Sequence, residues 1–237
     1  MAAVAAVDAV AGAIPSPNIW RFPDVYEVEN QAVDPELVIE HTLQGIRPWR
    51  DAAILDIGCG TGFHLPRFAA RAHSVIGVEA HRGLATMARR RVCHLRNVSV
   101  LTGSAQRLAV PDHSIDVAHA RWAYFFGPGC EAGLRQLARV MRRGGVAFVI
   151  DNDATRSTFG RWFQRALPTY DQGQVDAFFA RHGWDALRRD ICWRFERRAD
   201  LEAVVRIEFS PEQAEQILAE HVGAYVDYAI TIRVRRY

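Results

Sequence analysis

The chain contains no lysine: all 29 of its basic side chains are arginine, set against 27 acidic ones for a net charge of +2. An absence this complete reads as a bias of genome composition rather than selection for guanidinium groups. The near balance of charge lacks the basic footprint of a nucleic-acid-binding domain. No apolar run is long enough to span a bilayer. Cysteine is scarce: Cys59, Cys93, Cys130 and Cys192 are the only four, and no two have metal-ligand spacing. A chain of this size has no need of a secreted disulfide framework. The Ala/Val-rich start, Met1 to Ile14, lacks a basic leader, and Asp8 interrupts its apolar run. It is expected as a loose arm or a short helix ended by Pro15 and Pro17. These absences point to a cytoplasmic chain with no metal, no membrane and no nucleic-acid partner. No internal repeat is present, and no Gly-Lys-Ser/Thr follows a glycine loop, which excludes a P-loop.

What is present has the balance of a globular domain, with 49% hydrophobic and 24% charged residues. Its 237 residues suit one large α/β domain with an appended element. A helix is expected from Asp34, with Pro35 in its first turn and Leu37, Val38, His41 and Leu43 on one face. Short apolar strands then alternate with helices. The strands are 53–57, 74–78, 98–101, 115–120 and 146–150; the helices are 63–71, one carrying Leu84, Met87, Ala88 and Val92, and 131–141. That rhythm means βαβ units and a mainly parallel sheet. Beyond Asp151 the pattern predicts helices at 158–167, from Asp171, at 200–207 and from Ser210. Alternating runs at 189–195 and 225–235 predict two strands, plausibly antiparallel to each other.

The most informative segment is Ile54-Leu55-Asp56-Ile57-Gly58-Cys59-Gly60-Thr61-Gly62. An apolar strand feeds a turn in which side chains are missing where a ligand must touch backbone, and the next helix offers free N–H groups. The spacing is one residue shorter than the dehydrogenase Gly-x-Gly-x-x-Gly. Glu79 ends the following strand, where a carboxylate can accept both hydroxyls of a ribose.

With three further segments in order, the chain resembles the class I S-adenosylmethionine-dependent methyltransferases. Those segments are Leu101 to Leu108, Pro111 to Val117 and Leu137 to Gly145, and the likeness covers roughly residues 50 to 152. The resemblance implies a Rossmann-like three-layer α/β sandwich, with a mainly parallel seven-stranded sheet and an antiparallel C-terminal strand. It divides the chain into an N-terminal arm and lid (1–33), a cofactor-binding core (34–152) and substrate-side helices and strands completing the same domain (153–237). It implies S-adenosylmethionine as cofactor, with Gly58, Cys59, Gly60 and Gly62 beneath its amino-acid end and Asp56 orienting the turn and the ammonium. Glu79 would hold the ribose, and Ser104, Ala105 and Gln106 would flank the adenine. Ser104 stands where the family often has Asp and is a weaker, neutral acceptor. Arg121 could pair with the methionine carboxylate, with an acidic substrate, or face the surface.

The acceptor is expected to be a small aromatic or lipophilic molecule, because aromatic residues cluster where the crevice should be roofed. The candidates are Tyr26, in the position of a lid tyrosine, with Trp122, Tyr124, Phe125, Phe159 and Trp162. No base is decisive. His64 and Asp151 are weak candidates, and His119 reads as a core histidine in an apolar strand. Arg89-Arg90-Arg91 and Arg142-Arg143 read as solvated helix faces. Two other readings stay open: a methyltransferase-like binding or partner subunit without catalysis, and an RNA or protein methyltransferase. A nicotinamide dehydrogenase is a weaker third. The assembly is expected to be a monomer or homodimer.

Overall fold

The computed structural model describes residues 8–237, and within them the chain opens on three helices, α1 (Pro17–Arg21), α2 (Pro23–Ala32) and α3 (Val38–Ile46). Strands and helices then alternate: β1 (Ala53–Ile57), α4 (Leu65–Ala69), β2 (Ser74–Glu79), α5 (Arg82–Val92), β3 (Val98–Thr102), β4 (Ile115–Arg121), α6 (Glu131–Val140) and β5 (Met141–Asn152). The last third adds α7 (Thr158–Ala166), α8 (Gln172–Arg181), β6 (Asp185–Arg194), α9 (Arg198–Glu208), α10 (Pro211–Glu220) and β7 (Tyr225–Arg236).

The seven strands form one sheet in the order β3-β2-β1-β4-β5-β7-β6. The first five run parallel, and β7 lies antiparallel to both β5 and β6. Alternation along the strands splits the core between the two faces. Ile54, Val117, Phe148 and Ile150 face one apolar layer with α3, α4, α9 and α10, joined by Val226, Tyr228, Ile230, Ile232 and Val234 of β7. Leu55, Ile57, Ala118, Ala120, Ala147 and Val149 face the other, against α6 and α8. This is the expected three-layer sandwich. The strand order reverses between β1 and β4, so their carboxyl ends open a crevice there. No helix among the described residues is long and apolar enough to cross a membrane.

Several boundaries differ from expectation. The helix expected from Asp34 begins at Val38. Asp34 N donates to Cys192 O and so ties the chain to β6, and Asp34 and Leu37 adopt positive φ (55° and 58°), which makes a turn first. The Asp34 carboxylate still caps, accepting from Val38 N and Ile39 N at 2.8 and 2.9 Å. The helix after the glycine turn shrinks to Leu65–Ala69. The helix expected over 131–141 stops at Val140, and β5 begins at once with Met141 paired to Ile115. Gly144 N donates to Tyr237 O and Tyr237 N to Gly145 O, so residues expected to end a helix instead pair with the chain's end. β6 starts at Asp185, ahead of the expected 189. Of the N-terminal arm, residues 1–7 lie outside the described residues; Ala9 then forms a bridge to His81, and no helix precedes Pro17 among the described residues. The arginine clusters are not simply solvated faces. Arg89 bonds Val100 O and Thr102 Oγ1, Arg91 pairs with Glu27 at 2.6 Å, and Arg142 pairs with Asp116 at 2.9 Å.

Candidate functional site

The turn after β1 is shaped by three glycines with positive φ, 73° at Gly58, 55° at Gly60 and 81° at Gly62. Each has its own reason to lack a side chain. A Cβ on Gly58 would sit 2.4 Å from the Cβ of Ala123, and one on Gly62 would sit 3.0 Å from the Cβ of Ala88 in α5. At Gly60 the nearest atom is only Ile19 Cδ1 of α1, at 2.9 Å. The loop amides are already committed: Gly58 N and Cys59 N donate to Val78 O, and Gly62 N to Cys59 O. Gly60 N donates to Glu79 Oε2 at 2.9 Å and His81 N to Glu79 Oε1 at 2.8 Å. Glu79 therefore clamps the glycine turn to the start of α5. Its burial pushes its pKa up, with the His81 and Gly60 amides pulling the other way.

A cavity opens over this turn, at the carboxyl ends of β1, β2 and β4. Among its walls are Asp56, Gly58, Cys59, Gly60 and Glu79 on the strand side, and Gly103, Ser104, Ala105 and Gln106 at one end. Arg121, Trp122, Tyr124 and His64 stand at the other. Trp122 and Tyr124 have positive φ (49° and 55°), backbone strain of the kind that collects at ligand sites. Trp122 is braced by Asn152, whose Oδ1 accepts from Trp122 Nε1 at 2.8 Å and from the Tyr228 hydroxyl at 2.5 Å. The roof comes from the N-terminal helices, through Ile19, Trp20, Tyr26 and Asn30. Glu27 of α2 ties that roof down, accepting from the Thr61 hydroxyl and pairing with Arg91.

The structure brings together most of the residues singled out from sequence, but not all. Gly62 does not line the cavity; it packs on α5. Phe125 is 1% exposed in the layer beside α6. Phe159 stacks on Tyr228 and Trp162 meets Phe209 edge-on, because α7 turns its aromatic face onto β7 and α9 rather than over the crevice. Asp151 points away as well: it is buried beside Arg233, on the far face of β5. Sequence reasoning passed over Ile19, Asn30, Thr61 and Phe63 and took His119 for a core histidine; all five line the cavity, as does Trp20, one of the aromatics expected to roof it.

His119 is the most consequential of these. β4 pairs with β1 so that His119 lies opposite Asp56, and its Nδ1 sits 2.8 Å from Asp56 Oδ1. With the Asp56 carboxylate as acceptor, Nδ1–H is the donor of that bond, and Nε2 is left outside it. The ring of His64 lies 5.9 Å away, centroid to centroid. Burial and the nearby Arg121 and His119 hold His64 well below the usual histidine range, so it is neutral. Arg121 stacks on Trp122 at 4.4 Å, while its Nε and Nη2 are buried without a hydrogen-bond partner.

Asp151 has a different consequence. Burial pushes its carboxyl up to about 6, with Arg233 and the Asn152 amide opposing. An unfolded aspartate loses its proton near pH ~3.9. Between those values the folded chain holds a proton that the unfolded chain has released, so stability falls as pH rises through the window and stays low above it. Asp151→Asn is therefore expected to leave Tm unchanged at pH 4 and to stabilise at pH 8, by on the order of 2–3 kcal/mol. Scanning calorimetry at both pH values checks this; an equal shift at the two would contradict it.

Comparison with known proteins agrees with the geometry. A family model described as "Methyltransferase domain" matches residues 54–145. The uncharacterized methyltransferase YcgJ of Bacillus subtilis is 29% identical over 103 residues, 43% of this chain and 41% of that protein. A 2-phytyl-1,4-naphtoquinone methyltransferase of Synechococcus elongatus is 30% identical over 118 residues, 47% of this chain and 51% of that one. The chain thus spans about half of these relatives' length or less. The crystal structure of YcgJ superposes with a TM-score of 0.62 at 18% identity, covering 83% of this chain and 97% of that one, a likeness of fold. Residues 54–145 thus match a methyltransferase domain, and the motif order and sheet order around them are those expected of the class I S-adenosylmethionine-dependent methyltransferase fold.

Proposed function

We propose that the protein transfers a methyl group from S-adenosylmethionine to a small molecule with an aromatic or lipophilic body. The observation that carries this reading is the cavity at the β1/β4 switch point, floored by the side-chain-free Gly60 and edged by the buried carboxylate of Glu79. The donor set fits the cofactor. Glu79 retains lone pairs for ribose hydroxyls beyond the two it gives to backbone amides. Ser104, Ala105 and Gln106 can border the adenine. Asp56 lies where an ammonium would be welcome. When bound, the cofactor supplies an already activated methyl group on a sulfonium. The chain's own task is then to hold the acceptor in line, exclude water and take a proton where the accepting atom carries one. The N-terminal roof held by Glu27 suits the second duty. His119, oriented by Asp56, and the neutral His64 suit the third.

The test is calorimetric titration of the purified chain with S-adenosylhomocysteine and with NAD, followed by a methyl-transfer screen of small acceptors. Binding of the first and not the second is expected; no binding of S-adenosylhomocysteine at millimolar concentration would sink the reading. Turnover in that screen separates an enzyme from a cofactor-holding partner subunit. Within the same titration, Glu79→Gln replaces an ionised acceptor by an amide with one acceptor oxygen. The expected loss of S-adenosylhomocysteine affinity is about 10- to 30-fold, the size of one charge-assisted hydrogen bond. Unchanged affinity would remove Glu79 from the ribose.

A further inference from the structure

Behind the histidine pair lies a second chamber of about 350 Å³, inside the ~300–1,000 Å³ range of small-molecule sites. It shares Asn30, Phe63, His64, His119 and Arg121 with the first cavity, so these five residues form the partition between the two. Its far walls are apolar surfaces of α3, α4 and Trp49, together with Glu40 and Arg67. The polar atoms of this chamber are unusually poor in partners. Arg121 Nε and Nη2 and Trp49 Nε1 are three buried donors without an acceptor, whereas Glu40 Oε2 is paired with Arg67 Nη1 at 3.3 Å. Buried polar groups left this way cost roughly 1–3 kcal/mol each, so a chain retains them where something else completes them. Asp34 and Glu29 act on Arg121 through their charge, but neither hydrogen-bonds its Nε or Nη2. Both oxygens of Asp34 are taken by the α3 amides, and Glu29 is bound up with Glu208 and held toward its protonated form by burial.

Resting on the methyltransferase reading, we propose that this chamber is the acceptor site and that the acceptor is a small carboxylic acid, its carboxylate held by Arg121. A planar, singly charged carboxylate matches the guanidinium fork. A dianionic phosphate would face Asp34 and Glu40 in the same chamber. The acceptor's apolar body would lie against Leu37, Leu43 and Phe68. The shared partition puts this acid beside His64 and His119, where the first cavity begins.

The carboxylate could instead be the cofactor's own, and titration of the full chain distinguishes the two. With S-adenosylhomocysteine saturating, benzoate, 3-hydroxybenzoate and phenylacetate are each titrated against their amides. At least one acid is expected to bind tenfold or more tightly than its amide. In Arg121→Gln that preference should vanish, with S-adenosylhomocysteine affinity falling less than threefold. If Arg121→Gln instead weakens S-adenosylhomocysteine tenfold and leaves the acid preference intact, the guanidinium serves the cofactor and the proposal is overturned. If S-adenosylhomocysteine binds but no acid outbinds its amide, the proposal fails alone. If the unsubstituted chain binds no S-adenosylhomocysteine, the enzyme reading fails with it. Circular dichroism of Arg121→Gln checks that a lost preference is not lost folding.

Discussion

Gly60→Val is expected to abolish S-adenosylhomocysteine binding, a loss of 1,000-fold or about 4 kcal/mol, while the fold survives. Gly60 is the member of the glycine turn whose missing side chain faces the cavity with least protein behind it: only Ile19 Cδ1 would meet a Cβ there, whereas Gly58 and Gly62 abut Ala123 and Ala88. A valine fills the floor on which the ligand must lie. It also sits at φ 55°, a left-handed conformation costing a non-glycine residue about 1–2 kcal/mol. That strain lowers Tm by only a few degrees in a chain of this size. A second variant separates a blocked floor from a displaced roof. Ile19→Ala in the Gly60→Val background relieves the contact with α1, and binding should still be absent. Titration calorimetry with a parallel melting curve reads both. Retained affinity within tenfold, or recovery in the double variant, would mean that the turn is structural and the cofactor lies elsewhere.

The sequence made the sheet legible because its strands are short apolar runs bounded by strong turn signals, as at 53–57 and 74–79. The glycine turn and Glu79 were legible for the same reason: they are local, and their spacing has chemical meaning. Features that depend on pairing between distant strands were not. His119 looked like core because Val117, Ala118 and Ala120 surround it. A period of two does put Val117, His119 and Arg121 on one face, but only the register with β1 shows that Asp56 stands opposite. The roof was half legible. Tyr26 was assigned to it, but Ile19 and Asn30 reach the cavity through helix packing that no local pattern encodes. Phe159 and Trp162 went astray through the opposite error. Their place after β5 suggested the crevice, whereas the apolar face of α7 is drawn to β7, the strand inserted between β5 and β6. Asp34 caps its helix by reaching over an extra turn, because hydrogen bonding to β6 fixes the backbone before the helix can begin.

Once an acceptor is in hand, His119→Asn is expected to lower kcat by about 100- to 10,000-fold, the range spanned by loss of a positioned proton acceptor. Asparagine is the informative replacement. Its amide nitrogen takes the place of Nδ1, so the bond to the buried Asp56 carboxylate persists, while nothing replaces Nε2. An alanine would leave Asp56 unpaired in a buried site and confound chemistry with stability. The asparagine variant should therefore keep its Tm and bind S-adenosylhomocysteine within threefold of the unsubstituted chain, with the whole deficit in turnover. His119→Gln, whose amide reaches the Nε2 position but abandons Asp56, should lose turnover and stability together. The neighbouring His64, neutral and 5.9 Å away, is the rival for the same duty, and His64→Asn is the control. A full deficit in that variant with normal turnover in His119→Asn would transfer the role to His64 and reduce the Asp56–His119 pair to a tie between β1 and β4. Normal turnover in both would mean that the acceptor arrives already deprotonated, or is an amine needing no base, and that the partition between the two cavities acts only by shape.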